Sequence, residues 1–146
     1  MSISRILVVG AGQMGAGIAQ VAAQAEIAVT LTDISAEYAR RGLDRISKSL
    51  IRLVDKGRMA PEQKDSILSQ ITVAPDLESA SRGADLVIEA IVEEPAAKAG
   101  LWSRLADICE PEVIFASNTS SISITSMARD SRRADRFIGM HFMNPV

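Results

Sequence analysis

The sequence has one cysteine, Cys109, and one histidine, His141, among its 146 residues. A lone cysteine makes no intramolecular disulfide framework, and without Cys/His partners at ligand spacing it makes no zinc site. Stability must therefore come from a packed core, a reducing compartment is favoured, and Cys109 reads as a small buried hydrophobe. Aromatic residues are scarce at 3%, and 16 basic against 18 acidic side chains leave a formal net charge of −2 with no basic block. That balance argues against the basic, aromatic-interleaved surface that tracks a nucleic-acid backbone, so no nucleic-acid partner is expected. No apolar run is long enough to span a membrane, and the N-terminus leads directly into a short apolar segment ending at Gly10, without a signal peptide's layout. A cytoplasmic protein is expected, with a matrix protein stripped of its presequence as the alternative.

What is present is 47% hydrophobic content, enough at this length for one domain over residues 1–146 to bury its own core. Ile3–Val9 is a β-branched apolar run closed by glycines, the pattern of a strand covered on both faces. From Gln13 to Gln24, Met14, Ile18, Val21 and Ala22 recur at helical spacing. Ile27–Thr32 is a second strand ending at Asp33, which completes a βαβ unit. Ser35 can cap a long amphipathic helix through Leu53, with Leu43, Ile46, Leu50, Leu53 and Val54 as its apolar stripe and Arg40, Arg41, Asp44, Arg45 and Lys48 on the wet face. Gly57 stops it, and Pro61 starts a shorter helix, so a helical hairpin precedes the next strand, Ile71–Val73. The apolar run Ala84–Ile91, a helix from Pro95 to Ile108, a strand over Val113–Ala116, a short helix over Ile124–Ala128 and a strand over Phe137–His141 complete the pattern. The fold class is α/β, a Rossmann-type, doubly wound, mostly parallel sheet with an inserted helical hairpin.

Gly10, Ala11, Gly12, Gln13, Met14 and Gly15 fit G-x-G-x-x-G between the first strand and the first helix. The glycines allow a tight turn, close approach of backbone to a pyrophosphate, and close contact between helix and strand. The helix N-terminus adds free N–H groups and partial positive charge for phosphates. Asp33, at the end of the second strand, is placed to accept hydrogen bonds from an adenosine ribose and to repel a 2′-phosphate, so NAD is expected rather than NADP.

The runs GAGQMGAGIAQ (10–20), LVIEAIVE (86–93), SNTSS (117–121) and GMHFMNPV (139–146) together resemble the N-terminal NAD-binding domain of 3-hydroxyacyl-CoA dehydrogenases, in the bacterial 3-hydroxybutyryl-CoA branch. The resemblance spans the chain in the right order. It implies oxidation of a short-chain (S)-3-hydroxyacyl-CoA by NAD, or the reverse, with His141 as general base; an imidazole suits proton transfer near neutrality. It implies that Ser120 lies between nicotinamide and substrate oxygen, and that Asn144 contacts substrate or holds the histidine loop. Besides the glycine-loop residues and Asp33, it assigns Ala90, Ile91, Glu93, Lys98, Ser117, Asn118 and Ser120 to the cofactor. Ser120, Asn144, Ser49 and Lys56 fall to the substrate, the last two on the CoA side. Plainer alternatives stand beside these: Ser120 or Ser121 as a cap for the helix at Ile124, Glu93 as an acid at a helix N-terminus, Lys98 and Lys56 as solvated lysines.

The same resemblance implies a following glutamate that pairs with the histidine, and an all-helical domain that dimerises and covers the site. Neither lies within residues 1–146. The expectation is a chain that binds NAD(H) but turns over an acyl-CoA poorly, and that is a monomer where the full-length family is homodimeric. A non-catalytic NAD(H) module, or a relative acting on a hydroxy acid without CoA, are the competing readings. Acyl chain length and direction of flux are left open.

Overall fold

The β-branched runs become strands because both of their faces are covered. In β1 (Arg5–Val9), Leu7 and Val8 are fully buried although successive strand residues point to opposite sides. The computed structural model, which describes residues 2–146, adds β2 (Ala28–Thr32), β3 (Ile71–Val73), β4 (Leu86–Glu89), β5 (Ile114–Ser117) and β6 (Phe137–Gly139). They form one parallel sheet in the order β3-β2-β1-β4-β5-β6. Helices α1 (Gln13–Gln24), α2 (Ala36–Asp55), α3 (Pro61–Ser69), α4 (Leu77–Ser81), α5 (Pro95–Ile108) and α6 (Ile124–Asp130) connect them, with a 3₁₀ turn at Ala134–Arg136.

Two cores result, one on each face. Ile6 and Val8 join Ile18 and Ala19 of α1 and Ile46 and Leu50 of α2 on one side. Leu7 and Val9 join Leu77, Trp102, Leu105, Phe115 and Phe137 on the other. The few aromatics are concentrated there: Trp102 lies 5.2 Å from Phe115 and 4.7 Å, edge-on, from Phe137 between ring centroids. Arg133 closes the end of α5, donating to the carbonyls of Ala106, Cys109 and Glu110 at 3.0, 2.7 and 2.5 Å. These include carbonyls that a helix C-terminus leaves without partners. Cys109 is buried, and burial pushes its thiol up to about 11, which suits the inert hydrophobe read from the sequence. Among the described residues no helix is long and apolar enough to cross a membrane.

The expected elements are all present, with shifted ends. The first strand begins at Arg5 rather than Ile3, where pairing with Ala28 starts, and the last ends at Gly139 rather than His141, freeing the histidine from the ladder. The apolar run 84–91 contributes a strand only over Leu86–Glu89. Ser35 caps α2 as expected, accepting from the Tyr38 N–H at 3.3 Å. The cap of α6 is Ser123, not Ser120 or Ser121: its hydroxyl accepts from the Ser126 N–H at 3.2 Å. One helix was not anticipated, the single turn α4, which Asp76 caps through the Ser79 N–H at 2.7 Å.

Candidate cofactor and catalytic site

β1 lies between β2 and β4, so the chain winds one way from β1 towards β2 and β3 and the other way through β4, β5 and β6. Ligands of open α/β sheets bind in the crevice that this reversal opens beyond the carboxyl ends of the strands. The glycine loop occupies that place. Gly10 sits at φ +103°, and a Cβ there would meet the Ala90 carbonyl oxygen at 2.5 Å; a Cβ on Gly15 would come within 1.7 Å of the Gly10 oxygen. At Gly12 the situation reverses, because a Cβ would meet nothing within 4 Å. The loop is thus compressed against the sheet on one side and open on the other. Gly12 is also the N-cap of α1 and has no side chain to cap the first-turn N–H groups, which are left for an incoming anion. An uncapped 12-residue helix beneath a bare backbone cradle fits a dinucleotide's pyrophosphate.

Asp33 follows β2 on one side of this loop. One carboxylate oxygen accepts the Ala11 N–H and the other the Ile34 N–H, both at 2.6 Å. The carboxylate is fixed by two backbone donors, and it has lone pairs left for a ribose diol.

The other side of the loop, above β4 and β5, opens a cleft of about 320 Å³ lined by Met14, Glu93, Lys98, Asn118, Ser120 and His141, with Ala90, Ile91 and Asn144 also on its walls. His141 reaches it because the Met140 N–H donates to the Ser117 carbonyl at 2.9 Å and the Phe142 N–H to Asn118 Oδ1 at 2.8 Å. Both neighbours of the histidine are therefore tied to the β5 end. The result is a contact of 3.0 Å between Ser120 Oγ and His141 Nε2. Asn144 Oδ1 accepts from Gln13 Nε2 at 3.2 Å, which joins the histidine segment to the glycine loop.

Beneath the cleft is a buried polar cluster. Glu89, the last residue of β4, is fully buried, and its carboxylate accepts from Lys98 Nζ at 2.5 Å, Ser117 Oγ at 2.5 Å and the Ile91 N–H at 2.9 Å. Lys98 is 1% exposed and also faces Glu93 at 3.5 Å. Burial pushes the Glu93 carboxyl up, but the Thr119 hydroxyl and the Lys98 charge outweigh it and hold that carboxyl below its ordinary range.

The residues expected to act together are thus brought together on the β4–β5 side, with three qualifications. Lys98 is not a solvated lysine but part of a buried ion pair. Ser117 does not line the cleft; its hydroxyl is buried under it, on Glu89. Ser49 lines a neighbouring cleft, with Gln13, Gly17, Arg45 and Asn144, while Lys56, the exposed C-cap of α2, lies on neither. Two contributors went unnoticed in the sequence. Thr119 holds Glu93 and accepts the Ile122 N–H at 3.0 Å, and Glu89 organises the floor. An acid inside the apolar run Leu86–Ile91 was the signal for Glu89, since an unpaired carboxylate is not tolerated there.

This geometry has close counterparts. The family model for the 3-hydroxyacyl-CoA dehydrogenase NAD-binding domain matches residues 5–146. A probable 3-hydroxybutyryl-CoA dehydrogenase of Bacillus subtilis is 48% identical over 146 residues, covering 100% of this chain and 50% of that protein. Pig mitochondrial hydroxyacyl-coenzyme A dehydrogenase (Sus scrofa) is 42% identical over 150 residues, 99% of this chain and 48% of its own. The crystal structure of the (S)-3-hydroxybutyryl-CoA dehydrogenase from Ralstonia eutropha superposes with a TM-score of 0.95 at 42% identity, over 99% of this chain and 51% of that one. The chain spans about half the length of the curated relatives it matches. With a family model over nearly its whole length and the glycine loop and Asp33 in their expected places, the chain belongs to the 3-hydroxyacyl-CoA dehydrogenase family, as its NAD-binding domain.

Proposed function

We propose that this chain is the cofactor-binding half of an enzyme that oxidises a short-chain (S)-3-hydroxyacyl-CoA to the 3-oxoacyl-CoA, or runs the reverse. The observation that carries the reading is the Ser120–His141 pair, 3.0 Å apart in the cleft on the opposite side of the glycine loop from Asp33. A dinucleotide held at Asp33 by its adenosine ribose and at Gly12 by its pyrophosphate would have its nicotinamide half on the side of that pair. When bound, NAD supplies the hydride acceptor. The protein's part is the proton: His141 Nε2, in the tautomer that accepts from Ser120, takes the substrate's hydroxyl proton as the carbon loses hydride and the C–O bond becomes a carbonyl. Ser120 then donates to the substrate oxygen, where charge develops. Glu93, Lys98 and Asn118 orient the nicotinamide side, and Asn144, tied to Gln13, holds the histidine segment. On this reading residues 1–146 are one NAD-binding domain, and a helical, dimerising domain corresponds to the rest of the relatives' length. The CoA moiety extends past Asn144 toward the cleft containing Ser49 and Arg45.

Calorimetric titration tests the cofactor assignment. NADH is expected to bind in the micromolar range and NADPH about tenfold or more weaker, because Asp33 opposes a 2′-phosphate. In Asp33→Asn that gap narrows. The ratio is the informative quantity, since Asp33 also holds the Ala11 N–H and its loss weakens both nucleotides. Equal binding of the two by the parent chain, or binding of neither, overturns the reading.

Turnover of acetoacetyl-CoA with NADH by the 146-residue chain is expected to be on the order of a hundredfold or more below that of a full-length relative. His141 is exposed, and among the described residues its imidazole has Ser120 as hydrogen-bond partner and no carboxylate to fix its second nitrogen. Near-normal turnover would refute this division of labour.

A further inference from the structure

We propose that buried Glu89 and Lys98, together with half-exposed Glu93, give the cleft a floor with one net negative charge, which favours an oxidised, cationic nicotinamide over the reduced, neutral one. Glu89 is the positioning residue that fixes this charge. The inference rests on the proposed placement of the nicotinamide half above β4 and β5. Its physical basis lies in this chain's own residues. Two carboxylates face one ammonium: Lys98 Nζ is 2.5 Å from Glu89 and 3.5 Å from Glu93. Glu89 is fully buried and Lys98 nearly so, and a charge so placed is screened far less than one on the surface.

Three donors hold the Glu89 carboxylate in place, from Lys98, Ser117 and the Ile91 N–H. Two of them, Ser117 and Ile91, belong to the strand ends that support the cleft, and its Lys98 partner forms part of the cleft wall. The floor's charge and shape are thus set by one side chain that never reaches the cleft itself. The two oxidation states differ by one unit of charge on the nicotinamide ring, so they would sense this floor differently. His141, which also lines the cleft, is kept in every variant below.

The test is the ratio of dissociation constants for NAD⁺ and NADH, measured by calorimetry on the 146-residue chain and its variants. Neutralising the floor by Glu89→Gln is expected to weaken NAD⁺ relative to NADH by roughly five- to tenfold. Glu93→Gln, at a half-exposed position that does not threaten the fold, is expected to move the ratio the same way by about threefold. The double substitution Glu89→Gln with Lys98→Met removes one charge of each sign, keeps the net at minus one, and is expected to leave the ratio near its parent value even if both affinities fall. Parallel weakening of both nucleotides with an unchanged ratio in Glu89→Gln and Glu93→Gln overturns the proposal, as does a shift in the double variant as large as in the single one. Should Glu89→Gln fail to fold, Glu93→Gln decides alone. Absence of binding to the unsubstituted chain would instead overturn the cofactor placement, and this proposal with it.

Discussion

Gly15→Ala is expected to destabilise the chain by about 3 kcal/mol and to abolish measurable nucleotide binding. The added methyl would sit 1.7 Å from the Gly10 carbonyl oxygen and 2.7 Å from its carbon. Both obstacles are backbone, so no side chain can turn aside. Relief requires α1 to move off the loop, and Gly10 cannot retreat because it is itself pressed on the Ala90 carbonyl and held by an N–H bond to Thr32 at 2.9 Å. The same shift opens the cradle at Gly12. Urea unfolding followed by fluorescence of Trp102, which is the only tryptophan and fully buried, measures the stability loss, and titration measures the binding. Gly100→Ala provides the contrast. Its Cβ would enter open space at an exposed position of α5, so that variant is expected to gain roughly 0.5–1 kcal/mol. A Gly15→Ala chain as stable as the parent would show that loop and helix are not in the contact described.

Lys98→Met is expected to cost about 3–5 kcal/mol, because it leaves Glu89 as a carboxylate without its cation in a fully buried position. Adding Glu89→Gln to it is expected to recover most of that loss, since a neutral pair of similar volume has no charge to desolvate. Denaturant midpoints for the two single variants and the double form a complete cycle. A coupling near zero would mean that the two side chains do not depend on each other, contrary to their 2.5 Å contact.

The fold was legible where local physics decides. β-branched runs bounded by glycine announced the parallel strands, and α2 was written in the stripe of Leu43, Ile46, Leu50 and Leu53, with Ser35 to start it and Gly57, at φ +65°, to stop it. α4 escaped because five residues, Leu77–Ser81, are too few to express a helical period; only Asp76 marked it, and an acid before a polar stretch is equally a loop. The cofactor side of the site was readable because the glycine loop and Asp33 sit at fixed distances within one βαβ unit. The chemical side was not readable in that way. Ser120 and His141 meet only because β6 pairs beside β5 and delivers the chain to the β5 end, a tertiary fact that spacing does not encode; resemblance gave each residue a role of its own but not their contact with each other. The burial of Lys98, which the resemblance assigned to the cofactor with a solvated lysine as the plainer alternative, was hidden for a related reason. A lysine in a sequence is a surface residue until a buried acid claims it, and that acid, Glu89, comes from a different element.

The position of β1 also governs how such a chain can assemble. The strand of this sheet that is synthesised first, β1, ends up near its middle, with β2 on one flank and β4 on the other. The half made of β1, β2 and β3 can begin to form from contiguous sequence, but its open flank stays an unpaired strand edge until residues 86–89 have been made. Closing that flank joins residues about eighty positions apart, Ile6 with Leu86 through Val9 with Glu89, and places the Glu89 carboxylate in the interior in the same event. A nascent chain of this family therefore carries an adhesive edge for as long as translation takes to pass through the helical hairpin, and the insertion that lengthens the domain also lengthens the interval in which it can pair with the wrong neighbour.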